Sequence, residues 1–259
     1  MLYSFYKYQG TGNDFVIIDN RSNNIELSVK QVRDICDRRF GVGADGLMLL
    51  NSKEGYDFEM KYYNADGRES SMCGNGGRCL VKFAHDMGIH QTNYHFIAVD
   101  GPHDAVIRDS GWVHLKMKDV YGFKKTFSDT VVDTGSPHYV KPVVDVKDYD
   151  VVEKGREIRY SNDFAKEGIN VNFVEAISRG IYVRTYERGV EDETLSCGTG
   201  VTASALVFAH NDNGFNRIEI QTPGGHLAVE FDKTGEERFE NIWLCGPATF
   251  VFKGEISIV

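Results

Sequence analysis

The sequence predicts an α+β fold of two pseudo-symmetric halves, each a curved, largely antiparallel, barrel-like sheet wrapped around one central helix. The first observation is a repeat: Cys-Gly-x-Gly occurs at Cys73 and again at Cys197, about half of the 259-residue chain apart. An apolar helical pattern follows each copy. The second observation is the large number of short strand patterns separated by turn signals, which is typical of antiparallel sheets.

The first half reads as hairpins interrupted by two helices. A glycine-rich turn at 10–14 separates the first two strands, and Ser28 is a good N-cap for the helix that follows. Val32, Ile35 and Cys36 share the apolar face of that helix, so we assign Cys36 to packing. In order, the patterns predict strands at 3–8 and 15–19, a helix at 29–39, strands at 47–50 and 57–63, a helix at 75–88, and strands near 94–100, 103–109 and 112–118.

The second half repeats this plan. Residues 119–128 have weak periodicity and are the predicted crossover between the halves, and a turn is expected at 134–138. The patterns predict strands at 129–133, 170–176, 181–186, 216–222, 226–231, 240–244 and 248–252, with helices near 148–156 and directly after Cys197.

Composition narrows the class of protein. The chain is 41% hydrophobic and 26% charged, and its net charge of −9 argues against nucleic acid or an anionic membrane as a partner. Residues 1–18 do not resemble a signal peptide, and no stretch has the length of a membrane span. We therefore expect a cytoplasmic protein. Five cysteines without a Cys-x-x-Cys pair argue against a disulfide framework and against a zinc ribbon.

The repeated motif places a thiol where its chemistry changes. The first turn of a helix leaves backbone N–H groups without intrahelical partners and carries a partial positive charge, which can lower the pKa of a cysteine there. The small Gly-x-Gly segment also lets an anion approach the backbone. One such motif could simply be a turn before a core helix. Two related copies favour a pair of acid/base groups acting on one substrate.

Several stretches together resemble the diaminopimelate epimerase family. They are Gly10-Thr-Gly-Asn-Asp-Phe15, Asn64-Ala-Asp-Gly, Met-Cys73-Gly-Asn-Gly-Gly-Arg-Cys79, and Tyr186-Glu-Arg-Gly with Cys197-Gly-Thr-Gly. The resemblance extends from Lys7 to the final strands. It implies a homodimeric isomerase of lysine and peptidoglycan precursor biosynthesis that interconverts LL- and meso-diaminopimelate with two cysteines as bases and with neither cofactor nor metal. It also implies domains at 1–122 and 123–246, with 247–259 returning to the first.

The resemblance assigns roles to individual positions. Cys73 and Cys197 match the two bases, while His138 and Glu187 match residues that tune the thiols. The positions that match substrate contacts are Asn13, Asn64, Gly74, Asn75, Asn170, Glu187, Arg188, Gly198 and Thr199.

Three departures from the family pattern affect the expected substrate contacts. Gly46 stands where several members have a Gln that touches substrate, and Ser136 stands where many have an Asn. One extra residue lies between Glu187 and Cys197. The first two departures remove amide contacts that help recognise the distal amino-acid end.

Two alternatives stay open at the level of sequence. A proline racemase or hydroxyproline epimerase also suits a twin-cysteine arrangement, although it needs no site for a second amino-acid end. A thiol redox or metal-binding protein is the alternative outside enzymes, and the cysteine spacing offers it no clustered ligand set.

Overall fold

Two helical crossovers and a series of hairpins build each half of the chain. A computed structural model describes residues 2–126, 129–210 and 212–257. The first half contains β1 (Leu2–Gly10), β2 (Asn13–Asn20), α1 (Val29–Cys36), β3 (Gly46–Asn51), β4 (Phe58–Asn64), α2 (Gly74–Asp86), β5 (Asn93–Ala98), β6 (Gly101–Ile107) and β7 (Val113–Lys116). The last strand of the chain, β18 (Thr249–Ser257), pairs with β1.

The second half follows the same plan. Its strands are β8 (Val120–Tyr121), β9 (Lys124–Thr126), β10 (Asp129–Asp133), β11 (Pro137–Pro142), β12 (Asn170–Ile177), β13 (Gly180–Glu187), β14 (Asp192–Thr194), β15 (Gly214–Thr222), β16 (Gly225–Gly235) and β17 (Arg238–Gly246). A short 3-10 helix (Val146–Asp148) and α3 (Val151–Arg159) follow β11, and α4 (Gly198–Val207) follows β14.

The chain divides into two compact units, Met1–Leu115 with Gly246–Val259, and Lys116–Cys245. In the first unit the strand order is β18-β1-β2-β3-β4-β5-β6-β7, antiparallel except for β2–β3 and β4–β5. Those two pairs are parallel because α1 and α2 are their crossovers. In the second unit the order is β9-β10-β11-β12-β13-β15-β16-β17, and the parallel pairs β11–β12 and β13–β15 have α3 and α4 as crossovers. The predicted domains, 1–122 with 247–259 and 123–246, stay a prediction.

Each sheet curves around one helix. The central helix of the first unit, α2, contacts strands from both ends of the strand order: β1, β2, β3, β6 and β18. In the second unit α4 likewise contacts β10 to β13, β15 and β16. The sheets are curved and, within the described residues, do not close into barrels. The predicted α+β class with two similar halves is therefore confirmed.

Some predicted elements were wrong in detail. α1 ends at Cys36 rather than at 39, because the Asp37 carboxylate accepts hydrogen bonds from the backbone N–H groups of Arg39 and Phe40, at 2.7 Å each. Strand β11 was missed because prolines at both of its ends favour a turn in sequence.

The predicted crossover at 119–128 contains the short strands β8 and β9, and residues 127–128 lie outside the described residues. No helix among the described residues has the length and apolar character needed to cross a membrane.

Candidate active site

The two repeated cysteines occupy the same structural position. Cys73 is the N-cap of α2 and Cys197 is the N-cap of α4, and neither side chain makes a capping hydrogen bond. The peripheral helices differ, since Ser28 caps α1 and Asp150 caps α3 through a side-chain oxygen. At a helix start the backbone N–H groups and the helix dipole favour an anion. The central helices therefore combine a thiol with a helix terminus suited to a carboxylate.

Asn13 lies beside the first thiol. A two-residue turn at Thr11 and Gly12, both with positive φ, joins β1 to β2 and brings Asn13 towards the start of α2. The Sγ of Cys73, which is half-buried, lies 3.7 Å from Asn13 Oδ1. A side chain on Gly10 would crowd this turn, because its Cβ would lie 3.1 Å from the carbonyl oxygen of Asn75.

A network of charged side chains holds Asn13. Its Nδ2 donates to Asp45 Oδ2 at 2.5 Å, and Asp45 forms an ion pair with Arg38 at 2.6 Å. Arg38 and Lys7 also pair with Asp14, at 2.7 Å each. Burial raises the pKa of Asp14, but hydrogen bonds from Arg38 and Lys7 outweigh it and lower the value to about 2. Asp14 is therefore a carboxylate at neutral pH.

A fully buried arginine orients Asn75 at the first turn of α2. Arg78 donates to Asn75 Oδ1 at 3.0 Å, to Thr11 Oγ1 at 3.2 Å and to the carbonyl oxygen of Gly74 at 3.3 Å. Because its oxygen faces Arg78, Asn75 directs Nδ2 towards Asn13 Oδ1, 3.5 Å away. Arg78 thus places a positive charge within the first turn of the helix.

The second thiol lies in a neutral network. Cys197 is 9% exposed, and its Sγ lies 3.5 Å from Thr199 Oγ1. The same hydroxyl lies 2.8 Å from Nε2 of His138 and 3.2 Å from the hydroxyl of Ser136. The backbone of Thr199 is also held, because its carbonyl oxygen accepts from the Thr134 hydroxyl at 2.9 Å.

His138 is completely buried on β11. Its Nδ1 lies 3.0 Å from Nδ2 of Asn172, whose Oδ1 accepts from the hydroxyl of Thr185 at 2.9 Å. Burial, together with the positive charge of Arg188, lowers the pKa of His138 to about 3. The imidazole is therefore neutral at physiological pH.

The remaining predicted contacts of this half lie where β12 begins and β13 ends. Asn170 Oδ1 accepts from the backbone N–H of Arg188 at 2.9 Å, and its Nδ2 donates to the carbonyl oxygen of Pro137 at 3.2 Å. The Arg188 guanidinium donates to the carbonyl oxygen of Glu167 at 3.0 Å. Glu187 accepts from the Thr194 hydroxyl at 2.8 Å.

Asn64 and Gly46 are paired residues on β4 and β3. Asn64 is exposed at the end of its strand. A Cβ on Gly46 would lie 2.6 Å from the Tyr62 ring and 2.6 Å from the carbonyl oxygen of Tyr63. The packing at this point therefore requires glycine. The second departure, Ser136, lies within the hydrogen-bond network of Cys197.

Two other thiols are packing residues. Cys36 lies in the apolar cluster under α1, and Cys79 is fully buried on α2. Burial raises the pKa of each thiol to about 12. Neither thiol is therefore ionised at neutral pH.

Three residues that hold the site were not predicted from the sequence: Asp45, Arg78 and Asn172. Asn172 follows Asn170 by two positions on a strand, so the two face the same side, and that spacing was a usable signal. Arg78 lies in the first cysteine motif, but nothing in the sequence indicates that its charge is buried. Asp45 reaches Asn13 only through the parallel pairing of β2 and β3.

Comparison with known sequences places this arrangement in a family. The sequence profile of the family described as diaminopimelate epimerase matches residues 5–119 and 130–251. A diaminopimelate epimerase of Flavobacterium psychrophilum is 48% identical over 257 residues, which cover 97% of this chain and 99% of that protein. One of Aquifex aeolicus is 38% identical over 276 residues, covering 98% and 97%.

Solved structures with low sequence identity share the fold. A PhzF-family phenazine biosynthesis protein of Bacillus anthracis gives a TM-score of 0.77 at 15% identity and covers all of both chains. A hydroxyproline epimerase of Agrobacterium vitis, solved with trans-4-hydroxy-L-proline, gives 0.70 at 13% identity and covers 98% of this chain and 92% of its own. At these identities the likeness concerns the fold alone.

Proposed function

Since this chain belongs to the diaminopimelate epimerase family, we propose that it interconverts LL-2,6-diaminopimelate and meso-diaminopimelate. The reaction inverts one α-carbon and needs neither pyridoxal phosphate nor metal. The observation that supports it most strongly is the pair of cysteines at equivalent helix starts, where neither side chain makes a capping hydrogen bond.

In this proposal Cys73 and Cys197 are the two bases. One thiolate removes the α-proton, and the other cysteine, as a thiol, delivers a proton to the opposite face of the carbon. After one turnover the protonation states of the two sulfurs are exchanged. A thiolate is a weak base for an α-proton, so the developing carbanion needs stabilisation from its surroundings.

The helix starts supply that stabilisation. Backbone N–H groups at Gly74–Asn75 and Gly198–Thr199 would hold the α-carboxylate, and the helix dipoles place positive potential where negative charge develops. Asn75 and Thr199 add side-chain donors at the same two places. Arg78, buried in the first turn of α2, strengthens the positive potential there.

The distal amino-acid end needs charged and neutral contacts. Arg188 can bind a carboxylate through two parallel hydrogen bonds. Asn13, Asn64 and Asn170 supply amide groups that suit a substrate with both ammonium and carboxylate groups. Glu187 and His138 would tune the thiols.

Deuterium exchange tests this function directly. The enzyme is incubated in deuterated water with LL-diaminopimelate, meso-diaminopimelate, L-proline or trans-4-hydroxy-L-proline, and α-deuterium is measured by mass spectrometry. We expect exchange with both forms of diaminopimelate. Exchange with proline or hydroxyproline alone would overturn the assignment in favour of a proline racemase type, and no exchange with any of the four would favour the non-enzyme alternative.

The expected assembly and the expected independence from cofactors have their own measurements. We propose a homodimer that acts in the cytoplasm on a small-molecule substrate without nucleic acid or membrane partners. Light scattering after gel filtration measures the mass. A Schiff-base absorption band, or activity lost to chelator and restored by metal, would contradict a cofactor-independent reaction.

A further inference from the structure

The hydrogen bonds around His138 have a fixed direction. The Asn172 amide is oriented by its Oδ1, which accepts from Thr185, and by its Nδ2, which donates to the carbonyl oxygen of Tyr139 at 3.3 Å. Nδ2 therefore also donates to Nδ1 of His138, 3.0 Å away. A neutral imidazole that accepts at Nδ1 carries its proton on Nε2. His138 thus donates from Nε2.

Two chains of donors lead from β11 and β12 to Cys197. In the first, the Nε2–H of His138 faces Thr199 Oγ1 at 2.8 Å and the Ser136 hydroxyl at 2.9 Å, and both hydroxyl groups belong to the same network. In the second, Asn170 Nδ2 donates to Ser136 Oγ at 3.3 Å, and that hydroxyl lies 3.2 Å from Thr199 Oγ1. Since the oxygen of Thr199 receives these hydrogens, its own hydrogen is directed at Cys197 Sγ, 3.5 Å away.

At Cys73 the direction is reversed. Asn13 directs Nδ2 at the Asp45 carboxylate, so its Oδ1 faces Sγ of Cys73 at 3.7 Å. The same oxygen accepts from Nδ2 of Asn75, which Arg78 orients. Rotating the Asn13 amide would place its oxygen against a carboxylate and its NH₂ group against that of Asn75. The structure therefore presents an acceptor to Cys73.

Charged groups also lie near the two networks, and on the Cys73 side the buried Arg78 adds a positive charge in the first turn of α2 that acts against the direction of the hydrogen bonds. Asp14, Asp45, Lys7 and Arg38 surround Asn13, and their charges balance. In the Cys197 half the side chains in contact with Thr199 are neutral. Arg188 acts on His138 as a positive charge there, and Glu187 lies at the end of β13.

We infer that, before substrate binds, Cys197 carries the thiolate and Cys73 carries the proton. Thr199, His138 and Ser136 act as positioning residues that direct a hydrogen-bond donor at Cys197. The inference rests on the proposed two-base function, which needs one thiolate and one thiol but does not say which is which. Hydrogen bonds to an ion are stronger than those to a neutral group, so a donor favours the thiolate and an acceptor favours the thiol.

The pH dependence of alkylation identifies the resting thiolate. The substrate-free enzyme is treated with iodoacetamide, from which a thiolate displaces iodide, at a series of pH values. Peptide mass spectrometry then gives a rate for each cysteine. Steric access of the reagent scales the rate of a given thiol at every pH, whereas the midpoint of its profile follows the pKa of that thiol. We expect the midpoint for Cys197 to lie about one to two pH units below that for Cys73.

Matched variants test the donor chain. Thr199→Val should raise the Cys197 midpoint towards that of Cys73, whereas Thr199→Ser should leave it in place, and Ser136→Ala should move it by a smaller amount. Equal midpoints in the parent enzyme, a lower one for Cys73, or a Cys197 midpoint that Thr199→Val does not change would overturn the inference.

Near-UV circular dichroism of each variant checks that it is folded. If Thr199→Val does not fold, the shift of the Cys197 midpoint in Ser136→Ala still decides the test. Because these measurements use no substrate, they are independent of the deuterium-exchange assay that decides the proposed function.

Discussion

The Cys73 half-site is built with charged side chains, and the Cys197 half-site is built with neutral ones. Around Asn13 the structure has Asp14, Asp45, Arg38 and Lys7, with Arg78 buried nearby in α2. Around Thr199 it has a neutral histidine, two hydroxyl groups and two amides. The backbone plan is the same in both units, with the cysteine as N-cap of the central crossover helix.

This difference shows that a repeated fold does not by itself determine the hydrogen-bond partners of each thiol. The repeated backbone gives both thiols a helix start and the same dipole. The neighbouring side chains decide whether the sulfur faces a donor or an acceptor. A two-base enzyme needs that asymmetry, because two thiolates or two thiols could not both take and return a proton.

The largest expected effect is on the rate of epimerisation, when the cysteine of either half is removed. Cys73→Ala and Cys197→Ala should each lower the rate of epimerisation by about 10²–10⁴-fold, because each removes one acid/base group. Steady-state kinetics with LL-diaminopimelate measures this. Cys36→Ala is the matched control, since this thiol packs in the apolar cluster under α1, and it should retain activity. Full activity in either of the first two variants would contradict the two-base reaction.

Equivalent glycines in the two motifs should respond differently to a methyl group. A Cβ on Gly200 would lie 2.3 Å from Asn172 Oδ1 and 3.3 Å from His138 Cε1, so Gly200→Ala should lower the free energy of unfolding by about 3 kcal/mol.

The corresponding residue in α2 is Gly76, whose Cβ would meet Met48 and Phe15 only at 3.4 Å. Gly76→Ala should change the free energy by less than about 1 kcal/mol, because better helix propensity offsets the tight contacts. Urea unfolding compares the two, and equal losses would show that Asn172 is not closely packed on α4.

The neutral and charged networks should lose stability in different pH ranges. The pKa of His138 is about 3 in the folded state, below the usual value near 6.5, so the unfolded chain binds the extra proton and stability falls as pH falls below about 6.5. Between pH 7 and pH 5 this group alone should cost about 2 kcal/mol. The pKa of Asp14 is lowered to about 2, so its contribution is present above pH 4 and is lost only below that.

Urea unfolding of His138→Gln at pH 7, 6 and 5 measures the first contribution. The difference from the parent protein should shrink as pH falls, because the variant has no imidazole to protonate. His210→Gln, at an exposed position, is the control and should follow the parent curve. Parallel curves for His138→Gln and the parent would mean that His138 does not titrate on unfolding.

Local patterns were predicted from sequence more successfully than contacts between strands. The two cysteine motifs, Ser28 as a helix cap and most strands depend on residues close together in the chain. The contact between His138 and Asn172 depends on the parallel pairing of β11 with β12, in which His138 lies opposite Asn170. Because β11 was not predicted, that pairing and the direction of its hydrogen bonds were not predictable either.

The smallest expected effect concerns the peripheral helices, where the two units use the same device. Ser28 accepts from the N–H of Gln31 at the start of α1, and Asp150 accepts from the N–H of Glu153 at the start of α3. Replacing either cap with Ala should lower the free energy of unfolding by about 1 kcal/mol, because it leaves a backbone N–H without its side-chain partner. In α1 the Gln31 side chain also accepts from the backbone N–H of Ser28, at 2.9 Å. Gln31→Ala removes this second hydrogen bond and should lower the free energy of unfolding by a few tenths of a kcal/mol.

Urea unfolding of the three variants, with Glu54→Ala at an exposed position as control, gives these values. Similar losses for Ser28→Ala and Asp150→Ala would show that the units are alike away from the thiols. The charged and neutral networks would then be a specific difference of the two central helices. A loss at only one cap would mean instead that the asymmetry extends through the whole repeat, and that the side chains around Cys73 and Cys197 are one instance of it.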